Sequence, residues 1–177
     1  PGADADAVVP GLVWRGEPGA WNENVETAAV LRFDSGYAMY YSGYRDDGSP
    51  ADGFPASVGL AVSADGVTFA AVGDRPILEP TPGGFDNDAV YSPAIVPSGD
   101  LLFMAYAGHA YAGPVPGVRV LGAVSTDGVR WSKLPLPLIE ADPSIAWMRD
   151  GAAEPAIVRD GDRWAMYFTG LNGEERV

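Results

Sequence analysis

Short apolar runs alternate with turn signals along the whole chain. Runs of about four to seven residues rich in Val, Ile, Leu, Met, Tyr and Phe are separated by DSG, SGD, DGD and DG, which are typical of β-hairpin turns. No window carries an apolar stripe at helical spacing. The pattern therefore predicts an all-β chain in which antiparallel strands follow one another as meanders.

One passage recurs three times along the chain. Its copies are VETAAVLRFDSGYAMYYSG at 25–43, VYSPAIVPSGDLLFMAYAG at 90–108 and AAEPAIVRDGDRWAMYFTG at 152–170. The first two copies are followed by a second shared element, GLAVSADGVTF at 59–69 and LGAVSTDGVRW at 121–131. Ser63 to Ser125 and Gly108 to Gly170 are both 62 residues. A fixed period is typical of an array of modules that bury their faces against their neighbours.

Each unit is predicted to be a four-stranded sheet. Its strands lie near 28–33 (inner), 37–42, 58–63 and 67–71 (outer) in the first copy. Such sheets arranged around an axis form a β-propeller, so we predict one partial propeller domain over 1–177. Its blades are expected at about 21–78, 85–139 and an incomplete 147–177, with 1–20 as a lead-in or the tail of a preceding blade. The long connections at 44–56 and 109–117 are predicted rim loops.

The array is incomplete. The third copy stops at Val177, where its second shared element would begin, and about two and a half blades are present. We expect either a fragment of a longer protein or two copies that close a ring of five blades. In both cases a sheet edge near 164–169 is predicted to be unpaired, so the isolated chain should dimerise or aggregate.

Composition and charge narrow the partners. A formal charge of -13, from 24 acids and 11 bases, would repel a phosphate backbone, and no apolar run is long enough to span a bilayer. We therefore expect neither nucleic acid nor membrane as a partner.

Cysteine is absent, which excludes disulfides and thiolate metal sites, and no cofactor or metal is expected. PGADADA at the start lacks the features of a signal peptide, so it indicates processing or truncation, and a secreted or periplasmic location stays open.

The repeated motifs carry a family resemblance. The inner strand xPAIV, a second strand ending in MYYSG or MYFTG, and the GLAVSADGVTF or GAVSTDGVRW element resemble the five-bladed propeller superfamily of arabinanases, levansucrases and invertases, which includes glycoside hydrolase families 43 and 32. The Ser-x-Asp-Gly-x-x-Trp box is also similar to the Asp boxes of six-bladed sialidases, but those have one more residue between Asp and Gly. The resemblance implies a five-bladed type of propeller with an oligo- or polysaccharide partner and a central site.

The Asp-Gly boxes are predicted to be structural. Asp65 and Asp127 can accept backbone N–H groups within their turns, and the glycines that follow can take the positive φ of a tight hairpin. The aromatic residues that end the two boxes, Phe69 and Trp131, recur at one structural position and are predicted to pack between blades.

Aligning the units sorts the acidic residues into columns. One column contains Thr27, Ser92 and Glu154, and another, four residues earlier, contains Glu23, Asp88 and Asp150. The second column is acidic in every copy, which favours a common capping role over catalysis. In the first column only one copy carries an acid, at the mouth of an inner strand. By resemblance, the three catalytic carboxylates occupy such positions on successive blades, so Glu154 is the candidate general acid.

The match to the resembled enzymes is incomplete, because the first two copies carry hydroxyls where catalytic Asp residues are expected. Glu26 lies one residue away and would point to the opposite side of its strand. A glycosidase needs two carboxylates. The pair is completed by Asp88 or Asp150, or by blades outside this chain, or hydrolysis has been lost.

Further residues break the symmetry near the same end of the blades. Arg149 is expected either to orient Glu154 or a sugar hydroxyl, or to pair with Asp150. His109 is either a substrate contact or a solvated loop residue. Trp21 and Trp147 either stack on a sugar or pack within the fold. The candidate substrate contacts are Arg149, Trp147, Trp21, Tyr91, Glu26 and His109.

Two functions follow from these observations. The leading hypothesis is a glycosidase of the family 43 and 32 type, supported by the broken symmetry at Glu154 and Arg149. The alternative is a noncatalytic glycan-binding or protein-interaction propeller, supported by the missing column acids. The sequence does not specify the sugar, the linkage or the stereochemical outcome.

Overall fold

The computed structural model describes residues 11, 13–45, 55–111 and 114–173, and the regular secondary structure there is almost entirely β-strand. Its strands are β1 (Asn24–Phe33), β2 (Gly36–Tyr44), β3 (Ser57–Ser63), β4 (Ala70–Ala71), β5 (Ala89–Ser98), β6 (Leu101–Ala110), β7 (Gly117–Ser125), β8 (Ser132–Lys133), β9 (Gly151–Asp160) and β10 (Arg163–Leu171). One 3₁₀ turn, Ala146–Met148, is the helical element of these residues, and none of their helices could span a bilayer. The all-β prediction is confirmed.

Consecutive strands pair antiparallel, as a meander requires. β1 to β4 form one four-stranded sheet in chain order. β5 to β8 form the second in the same way, and β9 pairs with β10. A single parallel bridge, Val118 to Gly151, links the second sheet to the third. Parts of the predicted lead-in and of both rim loops (1–10, 12, 46–54 and 112–113) lie outside the described residues.

The outer strands are shorter than predicted. The sequence predicted the first over 67–71, but pairing with β3 involves only Ala70 and Ala71. The reason is the preceding turn, where the backbone N–H groups of Val67 and Thr68 both donate to Asp65 Oδ1 at 2.8 Å. Because these two N–H groups donate to the Asp65 side chain, they cannot form hydrogen bonds with β3.

The sheets pack face to face. The largest apolar cluster lies between the first and second sheets and includes Tyr40, Leu60, Met104 and Tyr106. A second cluster, between the second and third sheets, is centred on Ala105, Val120 and Ala152. The blade interfaces therefore form the core.

The inner strands come together along one line through the molecule. β5 contacts both β1 and β9, so the three inner strands are neighbours although they belong to different sheets. Residues at the same position of each inner strand are thereby brought close to one another. This radial arrangement of antiparallel blades is a partial β-propeller.

The packing prediction for the box aromatics holds for Trp131, which contacts the neighbouring blade, whereas Phe69 packs within its own blade. Phe69 is buried with Met39 and Tyr41. The Trp131 ring lies edge-on to Tyr40, with centroids 5.9 Å apart, and its Nε1 donates to Gly128 O at 3.2 Å. Both rings stabilise the blades and neither is a free platform for a sugar.

Candidate functional site

Three equivalent residues share an unusual backbone conformation. Thr27, Ser92 and Glu154 have φ angles of 45°, 50° and 51°, and among the described residues they are the non-glycine residues with positive φ. Such a conformation costs about 1–3 kcal/mol for each residue and is concentrated at functional sites. The column found by aligning the repeats is therefore also a column of backbone strain.

A β-bulge produces this conformation in each inner strand. In β1 the register with β2 shifts between Glu26 and Ala29, and β5 and β9 show the same shift at the equivalent place. The extra residue of a bulge re-aims a side chain away from the regular alternation of the strand. The same β-bulge therefore sets the orientation of the side chain at the column position in all three blades.

In two of the blades, the column side chain meets a hydroxyl on the second strand. Thr27 Oγ1 and Ser42 Oγ are 2.5 Å apart, and Thr169 Oγ1 donates to Glu154 Oε2 at 2.9 Å. Ser42 is fully buried and also accepts a hydrogen bond from the backbone N–H of Ser92, at 2.8 Å. Glu154 itself is exposed, so the third blade presents a positioned carboxylate to solvent.

The second blade lacks the hydroxyl partner. Its equivalent of Ser42 and Thr169 is Ala107, which lies opposite Tyr91 in the ladder as Ser42 lies opposite Glu26. Ser92 Oγ is buried and is the one such side-chain atom, among those described, without a hydrogen-bond partner. The column therefore combines a hydroxyl pair, an unpaired hydroxyl and a carboxylate.

Asp88 is held by the chain that leaves the second strand of its blade. Its Oδ2 accepts the Tyr111 N–H at 2.6 Å, its Oδ1 accepts from Asn87 Nδ2 at 2.8 Å, and its own N–H donates to His109 O at 3.0 Å. These are the contacts of a capping residue. A catalytic role for Asp88 stays a prediction.

The only histidine of the sequence is packed in this corner. The His109 ring lies 3.8 Å from the Tyr111 ring, centroid to centroid, and is half-buried. Burial lowers the pKa of His109, while the neighbouring Asp88 carboxylate acts in the opposite direction. His109 therefore lies next to Asp88, and a contact with substrate stays a prediction.

Arg149 and Asp150 pair with each other. Arg149 Nε lies 3.2 Å from Asp150 Oδ2 and its Nη2 donates to Asn172 O at 2.7 Å, with both side chains about half exposed. The backbone N–H of Asp150 donates to Leu171 O at 2.9 Å, which repeats the main-chain bond of Asp88. Of the two roles expected for Arg149, the structure shows the ion pair.

Trp21 and Trp147 lie over glycines of the second strands. A Cβ on Gly43 would be 2.6 Å from Trp21 Cζ3, and one on Gly170 would be 2.3 Å from Trp147 Cε3. Phe168 also contacts Trp147, with centroids 5.7 Å apart. Side chains alternate between the two faces of a strand, so the Trp147 indole lies on the face of β10 opposite to Thr169. It is therefore on the other side of the strand from Glu154, which Thr169 contacts.

The remaining two candidates flank the column. Glu26 precedes Thr27 and is exposed, and Tyr91 precedes Ser92 and is half-buried. In the strand ladder Glu26 pairs with Ser42 and Tyr91 pairs with Ala107. Both candidates are therefore direct neighbours, along the inner strand, of a column residue. Their roles as substrate contacts stay predictions.

Two structural features were missed in the sequence. Ser42 connects two blades through Thr27 and Ser92, and its place in the repeated MYYSG motif was the available signal. The second feature is an ion pair between the buried Asp86 and the partly buried Lys133, with Nζ to Oδ2 at 2.6 Å. Its signal was an acid that directly follows Phe85, where the first copy has an amide.

A cleft of about 870 Å³ opens between the first two sheets at the other ends of the inner strands. Phe33, Tyr37 and Leu101 are among its lining residues. Thr27 and Ser92 lie near the starts of these strands and the cleft lies at their hairpin turns, so this space is separate from the column. Within the described ranges, no group of three His, Asp or Glu residues is placed to hold a metal ion.

Solved structures of glycoside hydrolases have a similar fold. Zg3597, a family 117 glycoside hydrolase produced by the marine bacterium Zobellia galactanivorans, matches with a TM-score of 0.67 and 14% identity over 82% of this chain and 48% of its own. The structure of a BT0996 RGII complex matches with a TM-score of 0.66 and 16% identity over 82% of this chain and 48% of its own. The predicted resemblance is thus confirmed at the level of the fold.

A third similar structure is the Bombyx mori GH32 β-fructofuranosidase BmSUC1, with a TM-score of 0.64 and 22% identity over 81% of this chain and 29% of its own. A mutant of that enzyme was solved in complex with sucrose. The chain spans about half the length of the first two structures. No protein-family model and no curated protein sequence matches it.

Proposed function

We propose that the protein is a carbohydrate-active propeller that hydrolyses glycosidic bonds, with Glu154 as the general acid. The observation that carries the proposal is the position of Glu154: an exposed carboxylate at the strained bulge that all three inner strands share. Strain of this kind persists only where the surrounding structure holds it. The fold of glycoside hydrolases agrees with this assignment.

The proposed chemistry is proton delivery to the glycosidic oxygen. A carboxylic acid that protonates the leaving group needs a fixed orientation within hydrogen-bond distance. Thr169 supplies it by donating to Oε2 of Glu154. Thr27, on the inner strand of the first blade, is exposed and adds a hydroxyl group of the kind that hydrogen-bonds sugar hydroxyls.

Hydrolysis also needs a second carboxylate, about 5 to 9.5 Å from the first, as base or nucleophile. Within this chain the candidates are Asp88 and Asp150, although Asp88 makes capping contacts and Asp150 pairs with Arg149. The other source is the remainder of a propeller, since the similar chains are about twice as long.

A second candidate function is glycan binding without hydrolysis. The specific observation in its favour is that Thr27 and Ser92 occupy the positions where the resemblance expects catalytic Asp residues. Hydroxyls can recognise a sugar but cannot serve as the base at neutral pH. The two candidate functions share the same site and differ in the outcome of one experiment.

That experiment compares Glu154→Gln with the parent protein on aryl glycosides with poor leaving groups and on sucrose and RGII, the two glycans found in complexes of the similar structures. The amide keeps the shape of the side chain but cannot deliver a proton, so we expect turnover to fall by about 10²–10⁴-fold. Binding, followed by calorimetry, should be unchanged.

Thr169→Val is the matched variant, because it keeps the volume and removes only the hydroxyl that orients Glu154. A smaller loss of turnover with unchanged folding is expected. Normal turnover by Glu154→Gln would remove this residue from the mechanism. Binding without any turnover in the parent protein would establish the noncatalytic alternative.

A further inference from the structure

The hairpins that join the first two strands of each blade differ in one cross-strand pair. In the first and third blades, an arginine of the inner strand lies opposite an aromatic residue of the second strand, 6.0 Å and 5.7 Å from the ring centroid. These pairs are Arg32 with Tyr37 and Arg159 with Trp164. The second blade carries Pro97 opposite Leu102 at the same register. A cation and an aromatic ring are thus replaced by two smaller apolar side chains.

The cleft of about 870 Å³ between the first two blades opens at this hairpin, and Pro97 and Leu102 both line it. Leu102 lies on the face of β6 that packs against the first blade, together with Met104 and Tyr106. A larger side chain at position 102 would therefore extend into the cleft. The space lies where the other two copies of the repeat carry a guanidinium group and a ring.

The cleft has an apolar wall that solvent reaches. Four large apolar side chains that line it are 39–44% exposed, and they are Phe33, Val62, Leu101 and Val129. Clustered exposed apolar side chains mark binding surfaces, whereas single scattered ones do not. The volume of the cleft also lies in the range of ligand pockets, about 300–1,000 Å³. A ligand can therefore reach this wall directly from solvent.

Charge selects the kind of ligand. The charged residues that line the cleft are two exposed acids, Asp100 and Asp127. The charged residues next to lining residues along the chain are two acids and two bases, namely Asp34, Asp65, Arg32 and Arg130. Both bases already have a partner, because Arg32 lies over the Tyr37 ring and Arg130 contacts Asp127 at 3.4 Å. The acids are in excess, so the cleft attracts a cation and repels an anion.

We infer that this cleft is a docking site for a segment of a partner protein that presents an arginine next to an aromatic side chain. The ring packs on Leu101 and Leu102, and the guanidinium group pairs with the exposed carboxylate of Asp100. The segment thus supplies the cation and the ring that the second blade lacks. The cleft lies at the ends of the inner strands remote from Glu154, so the inference does not depend on the proposed function.

The probe is the dipeptide N-acetyl-arginyl-tryptophan amide, and binding is followed by the backbone amide chemical shifts of the ¹⁵N-labelled protein. The largest changes should occur at Leu101, Leu102 and Val129. N-acetyl-glutamyl-tryptophan amide keeps the ring and reverses the charge, and it should bind at least about tenfold more weakly. N-acetyl-arginyl-alanine amide keeps the charge and lacks the ring, and we expect a similar loss of affinity for it.

Leu102→Trp copies the residue of the third blade and fills the cleft, so it should abolish binding of the arginyl-tryptophan dipeptide. Val129→Arg tests the same point without changing the core, since this side chain is 41% exposed, and its added charge should also abolish binding. Asp100→Asn should weaken binding about tenfold. Asp162→Asn is the matched control, because it changes the acid at the same position of the third repeat, outside the cleft. It should leave the affinity unchanged.

The outcomes decide between this docking site and simpler explanations. Loss of binding in Leu102→Trp and Val129→Arg, with Asp162→Asn unchanged and all variants folded by circular dichroism, supports the inference. Equal binding of the arginyl-alanine dipeptide would mean that the acids attract any cation, and equal binding of the glutamyl-tryptophan dipeptide would mean that charge is not read. Either result overturns the inference, as does the absence of shifts at the cleft. Glu154→Gln should bind the dipeptide normally, whatever its effect on glycosides.

Discussion

At the scale of single residues, the Asp-Gly box shows how one carboxylate shapes a turn. Asp65 Oδ1 accepts the Val67 and Thr68 N–H groups and the Ser63 hydroxyl, each at 2.8 Å. These hydrogen bonds, with Thr68 the strongest contributor, lower the pKa of Asp65 from 3.8 to about 2. The ionised form is therefore part of the folded turn.

This pKa shift predicts how Asp65→Asn changes with pH. A carboxyl with a lowered pKa contributes stability that is present above its ordinary value and is lost as pH falls toward about 2. The variant should melt below the parent protein at pH 7, and the gap should narrow between pH 4 and 2. Melting temperatures by circular dichroism across this range provide the measurement.

Asp160→Asn is the control, because Asp160 lies at the exposed end of β9 and outside any box. Its melting curve should follow that of the parent protein at each pH. A constant gap between Asp65→Asn and the parent protein down to pH 2 would mean that the turn does not depend on the ionised carboxylate.

The residue scale also shows where sequence reasoning ended. Aligning the repeats identified the column of Thr27, Ser92 and Glu154, but not its backbone conformation. Positive φ is signalled in a sequence mainly by Gly or Asn, and these three side chains carry no such signal. The bulge is imposed by pairing with the second strand, which only the folded structure shows.

At the scale of strands, a residue that precedes the inner strand hydrogen-bonds the end of the second strand in the first two blades. Asn22 Nδ2 donates to Tyr41 OH at 3.1 Å, and Tyr106 OH donates to Asp86 Oδ2 at 3.0 Å. In the third copy the corresponding residues are Met148 and, in place of tyrosine, phenylalanine. The two copies with a tyrosine thus carry a polar residue that bonds its hydroxyl. The third copy has phenylalanine, which has no hydroxyl, and the corresponding residue is the apolar Met148.

The second blade adds a partly buried ion pair to this contact. Lys133 Nζ contacts Asp86 Oδ2 at 2.6 Å and donates to Glu79 O and Thr81 Oγ1. Burial lowers the pKa of Lys133, while Asp86 acts in the opposite direction. Burial, followed by the Asp86 charge, raises the pKa of Tyr106. The network joins the outer strand β8 to the loop that precedes β5.

Asp86→Ala should therefore be strongly destabilising. It leaves the Tyr106 hydroxyl without its acceptor and the Lys133 ammonium group without its counter-ion. Removal of one partner of a fully buried pair costs about 3–5 kcal/mol, and because Lys133 is partly exposed and keeps Glu79 O and Thr81 Oγ1 as acceptors, we expect a loss at or below the lower end of that range. Urea denaturation followed by tryptophan fluorescence would give the change in the free energy of unfolding.

The first blade supplies the matched control for this network. It has Asn22 in place of Asp86, and Ala71 occupies the register of Lys133. The double variant Asp86→Asn with Lys133→Ala copies that arrangement and should lose much less stability than Asp86→Ala. Equal losses would show that the charges are not coupled.

Strand positions were predictable because β-hairpin turns and apolar runs are local signals. The outer strands were overestimated because Val67 and Thr68 are apolar or β-branched, whereas their N–H groups are committed to Asp65. The N–H groups can donate either to a side-chain acceptor or to the neighbouring strand. Which of the two they choose depends on the geometry of the turn, and amino-acid composition does not reveal it.

At the scale of the molecule, the two outermost faces of the array differ from the blade interfaces. On the first blade, Val30 is 54% exposed on the side away from the second. On the third blade, Val158 and Tyr167 are 47% and 67% exposed, whereas Ile157 and Phe168 point toward the second blade. Within the described residues, β10 pairs only with β9.

These faces predict self-association of the 177-residue chain, because exposed apolar side chains beside an unpaired strand favour contact with another copy. Light scattering should give a mass above 18.5 kDa that rises with protein concentration. Val158→Lys combined with Tyr167→Lys places two charges on the outer face of the third blade and should return the chain toward a monomer. The control is Val67→Lys, since that side chain is 62% exposed at a turn remote from β10, and it should leave the association unchanged. A monomer at all concentrations with a sharp unfolding transition would contradict the prediction and would mean that half a propeller can be stable with its outer faces in water.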